Sequence, residues 1–91
     1  MVNIRESMGL LGLRVKDRVT GFKGVVSSIA FDLYGCVQAV VNPGMDKDGK
    51  LGDSAWYDVA RLQVIDKKPV MPVPDFEYKK GPAEKPAIMK P

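Results

Sequence analysis

The chain carries few of the side chains that catalysis or metal binding requires. It has no histidine and one cysteine, Cys36, so neither a zinc site nor a cysteine–histidine nucleophile can be assembled from the usual ligands. Phosphate-binding loops, dinucleotide-binding turns and serine nucleophile elbows are absent from the sequence. We therefore expect no enzymatic activity, no catalytic residues, no metal site and no cofactor.

One acidic segment has a distant similarity to a calcium-binding loop. Asp46 and Asp48 precede Gly49, but the third oxygen ligand and the closing glutamate of such a loop are missing, and Lys47 and Lys50 stand among the acids. We interpret this segment as a solvated hairpin loop.

Aromatic residues give the more informative pattern. Trp56 and Tyr57 are adjacent in a predicted strand, and neighbouring strand residues point to opposite faces, so one should lie in the core and the other outside. Tryptophan, tyrosine and arginine dominate the binding energy of protein interfaces. The alternative is that the aromatic rings only cover the ends of a small core. The predicted binding residues are Phe22, Lys23, Tyr34, Gln38, Trp56, Tyr57 and Arg61.

A stripe of basic residues provides an alternative site. Arg14, Lys16 and Arg18 alternate along the first predicted strand, and Lys23 lies in the following loop. Contacts to nucleic-acid phosphates need such a stripe. An outward strand face carries the same charges for solubility alone.

The distribution of charge makes the nucleic-acid alternative less favoured. The net charge is +3, yet residues 1–66 contain eight basic and eight acidic residues, whereas residues 67–91 contain six lysines and three acids. The excess positive charge therefore belongs to the C-terminal segment and not to the predicted domain.

The pattern of apolar residues and turn signals divides the chain into three parts. Residues 1–12 are predicted to form an N-terminal arm or a short helical turn. Residues 67–91 hold six of the seven prolines and are predicted to form a flexible Pro/Lys-rich tail. Between them, short strands are predicted at residues 13–20, 25–31, 36–41, 55–58 and 62–65, with a helical turn at 59–61. Five short strands separated by turns indicate a mainly β domain, a small antiparallel barrel over residues 13–66.

Two features bear on location. The apolar stretch over residues 24–41 is broken by a turn at 32–35, so we interpret it as two strands and expect no contact with a membrane. The first residues have no basic segment followed by an apolar one, and the lone thiol of Cys36, interpreted as a small buried residue, fits a reducing compartment. The character of the first residues and the lone thiol together predict a location in the cytoplasm.

Two resemblances refine the fold. The segment Asp17-Arg18-Val19-Thr20-Gly21-Phe22-Lys23-Gly24-Val25-Val26 resembles the KOW-type strand–loop–strand element of SH3-like barrels, which contacts RNA or protein. A broader similarity, to small uncharacterised proteins of tailed phages and prophages, rests on three segments. They are Val19-Thr20-Gly21-Phe22-x-Gly24, Gly35-Cys36-x-Gln38-x-x-Val41-x-Pro43 and Trp56-Tyr57-Asp58-x-x-Arg61-Leu62-x-Val64. This similarity implies an SH3-like β-barrel and a bacterial host cytoplasm, and no activity.

The function that follows is a non-catalytic binding module that engages a protein partner or associates with itself. The first alternative is nucleic-acid binding through Arg14, Lys16, Arg18 and Lys23. The second is a homo-oligomer that sequesters a small anionic ligand, such as a nucleotide, with Gln38, Arg61 and an exposed aromatic residue as the lining.

Overall fold

Most of the regular secondary structure in the described residues belongs to one antiparallel sheet. The computed structural model describes residues 4–76. In chain order, its elements are helix α1 (Ile4–Met8), strands β1 (Arg14–Asp17), β2 (Lys23–Phe31), β3 (Val37–Asn42) and β4 (Ala55–Asp58), a 3₁₀ turn (Val59–Arg61) and strand β5 (Leu62–Asp66). The strands lie in the order β4-β3-β2-β1-β5, and every neighbouring pair is antiparallel. The predicted mainly β fold of five short antiparallel strands is confirmed.

The sheet is open, which corrects the expectation of a closed barrel. A barrel requires the two outermost strands to pair with each other. Here the outermost strands are β4, which pairs with β3, and β5, which pairs with β1. Both are short, and the 3₁₀ turn that joins them leads the chain from one edge of the sheet to the other.

The core is small and consists mainly of valine side chains. Its buried apolar members are Val15, Val26, Ala39, Val41 and Leu62. They come from β1, β2, β3 and β5, and in β3 the buried residues alternate with less buried ones, as expected for a strand with one face against a core. Partly buried apolar residues extend this core: Leu10, Leu11, Phe22, Ile29, Tyr57 and Val64.

Strand β1 ends earlier than predicted. The backbone leaves the strand at Asp17, whose N–H bonds the Phe22 carbonyl oxygen and whose carbonyl oxygen accepts the Gly21 N–H, both at 2.8 Å. These bonds close a turn over residues 17–22. Val19 continues the alternation of Val15 and Asp17, which predicts a core-facing position, but it lies on the turn with 73% of its surface exposed.

Two glycines flank the start of β2 for different reasons. Two glycines in a short loop between predicted strands predict a positive φ at both, and Gly21 has one, of 82°. Gly24 does not. It lies within β2, where an added Cβ would stand 2.4 Å from the backbone oxygen of Asn42 on the neighbouring strand. The second glycine therefore permits a close approach of two backbones.

Two turns share the same hydrogen-bonding plan. In the turn after β2, a carboxylate oxygen of Asp32 accepts the N–H groups of Tyr34 and Cys36, both at 2.9 Å. In the long connection between β3 and β4, a carboxylate oxygen of Asp46 accepts the N–H groups of Asp48 and Lys50, at 2.8 and 3.0 Å. Each turn also contains a glycine at positive φ three residues after the aspartate. Aspartate side chains commonly fix turns in this way.

The segment after β5 returns to the N-terminal part of the domain. The Val70 N–H donates to the Gly12 carbonyl oxygen at 2.9 Å, and the Gly12 N–H donates to the Val26 carbonyl oxygen at 2.8 Å. The start of the predicted tail, residues 67–76, thus lies on the domain without regular secondary structure. The remainder of the predicted tail, residues 77–91, lies outside the described residues, and the boundaries assigned to the N-terminal arm and the tail stay predictions. No helix within residues 4–76 has the length and apolar character needed to cross a membrane.

Candidate functional site

A buried ion pair joins the end of β1 to the 3₁₀ turn. Arg61 donates from Nε to Asp17 Oδ1 at 2.8 Å and from Nη2 to Asp17 Oδ2 at 2.7 Å. Thr20 adds its backbone N–H, at 2.9 Å, and its hydroxyl group to Oδ2. Asp17 is fully buried, whereas the Arg61 side chain reaches the surface. The carboxylate is therefore surrounded by hydrogen-bond donors.

These donors determine the charge state of both groups. The hydrogen bonds from Arg61, followed by those from Thr20, hold the pKa of Asp17 far below its ordinary value, against the opposing effect of burial. The same contact raises the pKa of Arg61. Both groups are charged throughout the neutral range. A permanently ionised and fully bonded carboxylate is poorly suited to acid–base catalysis, which needs a pKa near the working pH.

Three predicted binding residues assemble beside this ion pair. The Arg61 guanidinium carbon lies 5.2 Å from the ring centroid of Tyr57, within the range of a cation–π contact. The Phe22 and Tyr57 rings are 5.5 Å apart, tilted by 33°. The Arg18 N–H donates to the Arg61 carbonyl oxygen at 2.8 Å and ties the same two segments together. Phe22 and Tyr57 also pack against the core, so this cluster borders it.

Asp17 and Thr20 belong to this cluster but were not among the predicted site residues. The signal was an acidic residue at an inward strand position, two residues after the buried Val15. A buried carboxylate needs hydrogen-bond donors, so an acidic residue at this position predicts that a donor side chain lies next to it. Thr20 follows Arg14, Lys16 and Arg18 in the alternation of residues 13–20, which predicts an outward side chain, but the turn over residues 17–22 folds it back onto Asp17.

A different group of residues forms the outer face of β3 and β4. Val40 lies opposite Trp56, and Gln38 lies opposite Asp58, so these four side chains share one face. Gln38 Nε2 donates to Asp58 Oδ1 at 3.2 Å. Trp56 is 54% exposed, whereas Tyr57 is partly buried against the core. Of the two adjacent aromatic residues, Trp56 is therefore the outward one, and we call this surface the Trp56 face.

Tyr34 is remote from Phe22, although both were predicted to bind. It lies in the turn after β2, whereas Phe22 immediately precedes β2. The nine residues of that strand place the two loops about 30 Å apart along its length. The structure thus distributes the predicted binding residues over three places: the Arg61 cluster, the Trp56 face and the turn at Tyr34.

Part of the predicted basic stripe is also assembled. Lys16 lies directly opposite Lys23 on β2 and next to Gln63 on β5. Arg14 forms an ion pair with Asp66, with a nitrogen–oxygen distance of 3.6 Å, and Arg18 lies beyond the end of β1. Within residues 4–76, neither Lys16 nor Lys23 forms a salt bridge. Two like charges opposite each other are unfavourable unless an anion approaches them.

Cys36 is exposed, so its interpretation as a buried residue was wrong. It closes the turn at Asp32 by donating its N–H to that carboxylate. The negative charge of Asp32 is the largest cause that raises the pKa of the Cys36 thiol. The thiol is therefore protonated at neutral pH and poorly nucleophilic.

In the acidic segment around Asp46 and Asp48, the carboxylate of Asp46 accepts hydrogen bonds from backbone N–H groups. One oxygen of Asp46 already accepts two N–H groups, and Met45 pairs with Leu51 across the loop. In the part of the chain that the structure describes, no three cysteine or acidic side chains cluster closely enough to hold a metal ion.

Comparison with known proteins gives no match: no protein-family model fits the chain, and no curated protein or solved structure is significantly similar to it.

Proposed function

We propose that this chain is a non-catalytic binding module that engages a protein partner through the Trp56 face. The observation that carries the proposal is the position of Trp56. It is a large aromatic side chain, more than half exposed, in the regular part of a strand at the edge of the sheet. Tryptophan is, with tyrosine and arginine, enriched among the residues that dominate interface energies.

The surroundings of Trp56 fit a contact surface. Val40 lies directly beside it on β3, so the apolar centre spans two strands, and the polar Ser28 lies beside Val40 on β2. The hydrogen-bonded Gln38 and Asp58 form a polar rim next to it. An apolar centre with a polar rim is the usual composition of a protein interface.

The free edge of β4 adds a second means of binding. Beyond β4 the sheet has no further strand in the described part of the chain, and an edge strand offers unpaired backbone groups to an incoming strand. A partner that adds a strand there would place alternate side chains over Trp56.

The ion pair between Asp17 and Arg61 supports the same function by holding this surface in place. Arg61 contacts the ring of Tyr57, which packs against the core and is adjacent to Trp56 in the strand. The strand is thereby fixed from its inner face while its outer face stays open. A pre-organised surface loses less conformational entropy on binding.

Site-specific photo-crosslinking tests the proposal. A photoreactive phenylalanine analogue is placed at position 56 in one variant of the full chain and at position 51 in another, because Leu51 is also exposed but lies outside the Trp56 face. We expect irradiation in cells to yield a discrete protein adduct from position 56 and none from position 51. The proposal fails if the two positions give the same adducts or if position 56 gives none, provided that circular dichroism shows both variants folded.

A second function, nucleic-acid binding, is favoured by one observation, the register that places Lys16 opposite Lys23. The two ammonium groups repel each other, and a phosphate would relieve that repulsion. The test is the salt dependence of binding to single- and double-stranded oligonucleotides. The double variant Lys16→Gln/Lys23→Gln should flatten the dependence of the binding constant on salt by about two contacts, whereas Lys47→Gln/Lys50→Gln should not. Absence of binding at low salt would exclude this function.

The alternative of a small anionic ligand is less well supported by the site. Two N–H groups of Arg61 already donate to Asp17, and the side-chain amide of Gln38 donates to Asp58, so these donors are engaged within the chain. The phage setting that the resemblance implies stays a prediction.

A further inference from the structure

The two edges of the sheet differ in how they are protected against an added strand. The pairing of β5 with β1 shifts in register between Arg14 and Val15, and Lys67, Lys68 and Pro69 follow β5 directly. Bulges, lysine and proline are features by which edge strands avoid pairing with other chains. Strand β4 contains no lysine and no proline, and all four of its residues pair with β3 in unbroken register. The β4 edge is therefore the more open of the two.

This open edge carries backbone groups that no strand in the described part of the chain uses. In an antiparallel pair, alternate residues direct their N–H and C=O groups to the neighbouring strand, and the residues between them direct theirs away from it. Since β4 pairs only with β3, about half of its backbone groups point outward from the sheet. An extended segment of another protein can bond to these groups and continue the sheet.

Asp58 is the only charged side chain of β4. It is exposed and lies on the same face as Trp56, two residues further along the strand. Its neighbours across the sheet are Gln38 on β3 and then Ala30 on β2, so this row contains no positive charge. The Asp58 carboxylate accepts a hydrogen bond from the neutral Gln38 amide, and within residues 4–76 it forms no salt bridge.

The guanidinium group of Arg61 does not cancel the charge of Asp58. The pKa of Arg61 is raised first by its hydrogen bond to Asp17 and to a smaller degree by the charge of Asp58. Arg61 gives two parallel hydrogen bonds to Asp17, and that carboxylate stays ionised. The ion pair is therefore neutral as a unit, and Asp58 provides an additional negative charge at the end of β4.

We propose that the partner of the Trp56 face is an extended segment of another protein that adds a strand to the β4 edge, with an apolar residue beside Trp56 and a basic residue beside Asp58. This inference rests on the proposed function and adds the chemistry of the partner. Cross-strand neighbours on one face keep the spacing of Trp56 and Asp58, so the basic and the apolar residue of the segment are two positions apart. Every strand pair of this sheet is antiparallel, and an added strand of the same direction has its basic residue first.

The same charge argues against a second copy of this chain as the occupant. Residues 51–60 contain no basic side chain, so two copies paired antiparallel through β4 offer none to Asp58 in any register that overlaps the two strands. In the register that places Ala55 opposite Trp56, Asp58 would stand opposite Asp53. Like charges in opposite positions destabilise a strand pair, whereas opposite charges stabilise it.

Selection from a displayed library of short random peptides, with the full chain as the target, tests the proposal. We expect the enriched peptides to carry a basic residue two positions before an apolar one. Trp56→Ala should weaken their binding roughly thirtyfold or more. Asp58→Asn keeps an oxygen that accepts the Gln38 amide and should weaken binding about three- to fivefold, because only the charge is lost. Asp48→Asn, at an exposed acid in the turn at Asp46, is the matched control and should leave binding unchanged.

Charge reversal and backbone methylation test the geometry. Asp58→Lys should reject the selected peptides and bind the same peptides with glutamate in place of the basic residue, whereas Asp48→Lys should not change the preference. The Asp58 side chain makes no capping bond to the 3₁₀ turn, so both variants at this position should fold, which circular dichroism checks. N-methylation of the alternate peptide N–H groups that face β4 should abolish binding, because it removes the donors of the new ladder. Binding should also slow amide hydrogen exchange in β4 and not in β5.

The outcomes separate this inference from the proposed function. Peptides that need Trp56 but show no preference for a basic residue, or that bind equally well to Asp58→Asn and Asp58→Lys, would overturn the inference and leave the Trp56 face as a binding surface. Protection of β5 in place of β4, or a library without enriched peptides, would overturn it as well, while a protein adduct from position 56 would still support the function. Peptides whose binding ignores Trp56→Ala, together with no adduct from position 56, would overturn both.

Discussion

Asp17 and Arg61, 44 residues apart in the sequence, form two parallel hydrogen bonds of 2.8 and 2.7 Å between a buried carboxylate and a guanidinium group. This geometry joins the turn after β1 to the 3₁₀ turn that connects the two edges of the sheet. Planar arginine matches a carboxylate in this way, and a lysine could not.

The first prediction concerns pH. Folding lowers the pKa of Asp17 far below its ordinary value of 3.8, so at neutral pH, where the carboxylate is ionised in both states, the pair contributes its full stability. As pH falls below about 4, the unfolded chain takes up a proton that the folded chain does not, and the free energy of unfolding decreases. Urea unfolding at a series of pH values should show this loss. Asp17→Asn should be less stable at neutral pH and should vary less below pH 4. Asp66→Asn, at the exposed pair with Arg14, should retain the acid-dependent loss.

The second prediction concerns the planar shape of arginine. Arg61→Lys keeps the charge but loses one of the two hydrogen bonds to Asp17 and the planar contact with Tyr57, so the melting temperature should fall clearly. Arg14→Lys is the matched control, because its ion pair is half exposed and 3.6 Å long, and it should change the free energy of unfolding by no more than about 0.5 kcal/mol. Equal effects of the two substitutions would contradict a structural role for the bidentate geometry.

The third prediction separates two roles of glycine. Gly24→Ala should lower the free energy of unfolding by roughly 1–3 kcal/mol, because the new Cβ would collide with the backbone of Asn42. At Gly21 an added Cβ meets open space, so the Gly21→Ala variant should be destabilised only by the positive φ of this residue. Asparagine tolerates that φ, so Gly21→Asn should recover part of the lost stability relative to Gly21→Ala, whereas Gly24→Asn should recover none relative to Gly24→Ala. Chemical denaturation of the four variants checks this order.

The fourth prediction concerns the Cys36 thiol. Its alkylation rate should rise with pH to a midpoint above the ordinary thiol pKa of 9.0, because neighbouring carboxylates disfavour the thiolate. Asp32→Asn should lower that midpoint more than Asp58→Asn does, since Asp32 is the larger cause. A midpoint at or below that of a small free thiol would show that the carboxylates do not act on Cys36.

The sequence was sufficient for most of the local structure. Alternation of apolar and polar residues predicted the inward face of β1 as far as Asp17, and the glycine, proline and aspartate signals located the turns, because these signals act between residues close in the chain. Adjacency in a strand also sufficed to separate Trp56 from Tyr57, although it could not say which of them faces outward.

Only the tertiary structure decided which distant residues meet. The sequence placed a carboxylate at Asp17 and a guanidinium at Arg61, but their contact depends on the antiparallel pairing of β1 with β5. Likewise, sequence could not foresee that Lys16 stands opposite Lys23, that Gly24 lies against Asn42, or that the sheet stays open between β4 and β5. Local signals determine which face of a strand is apolar, whereas strand order and register arise from packing all the strands around one core.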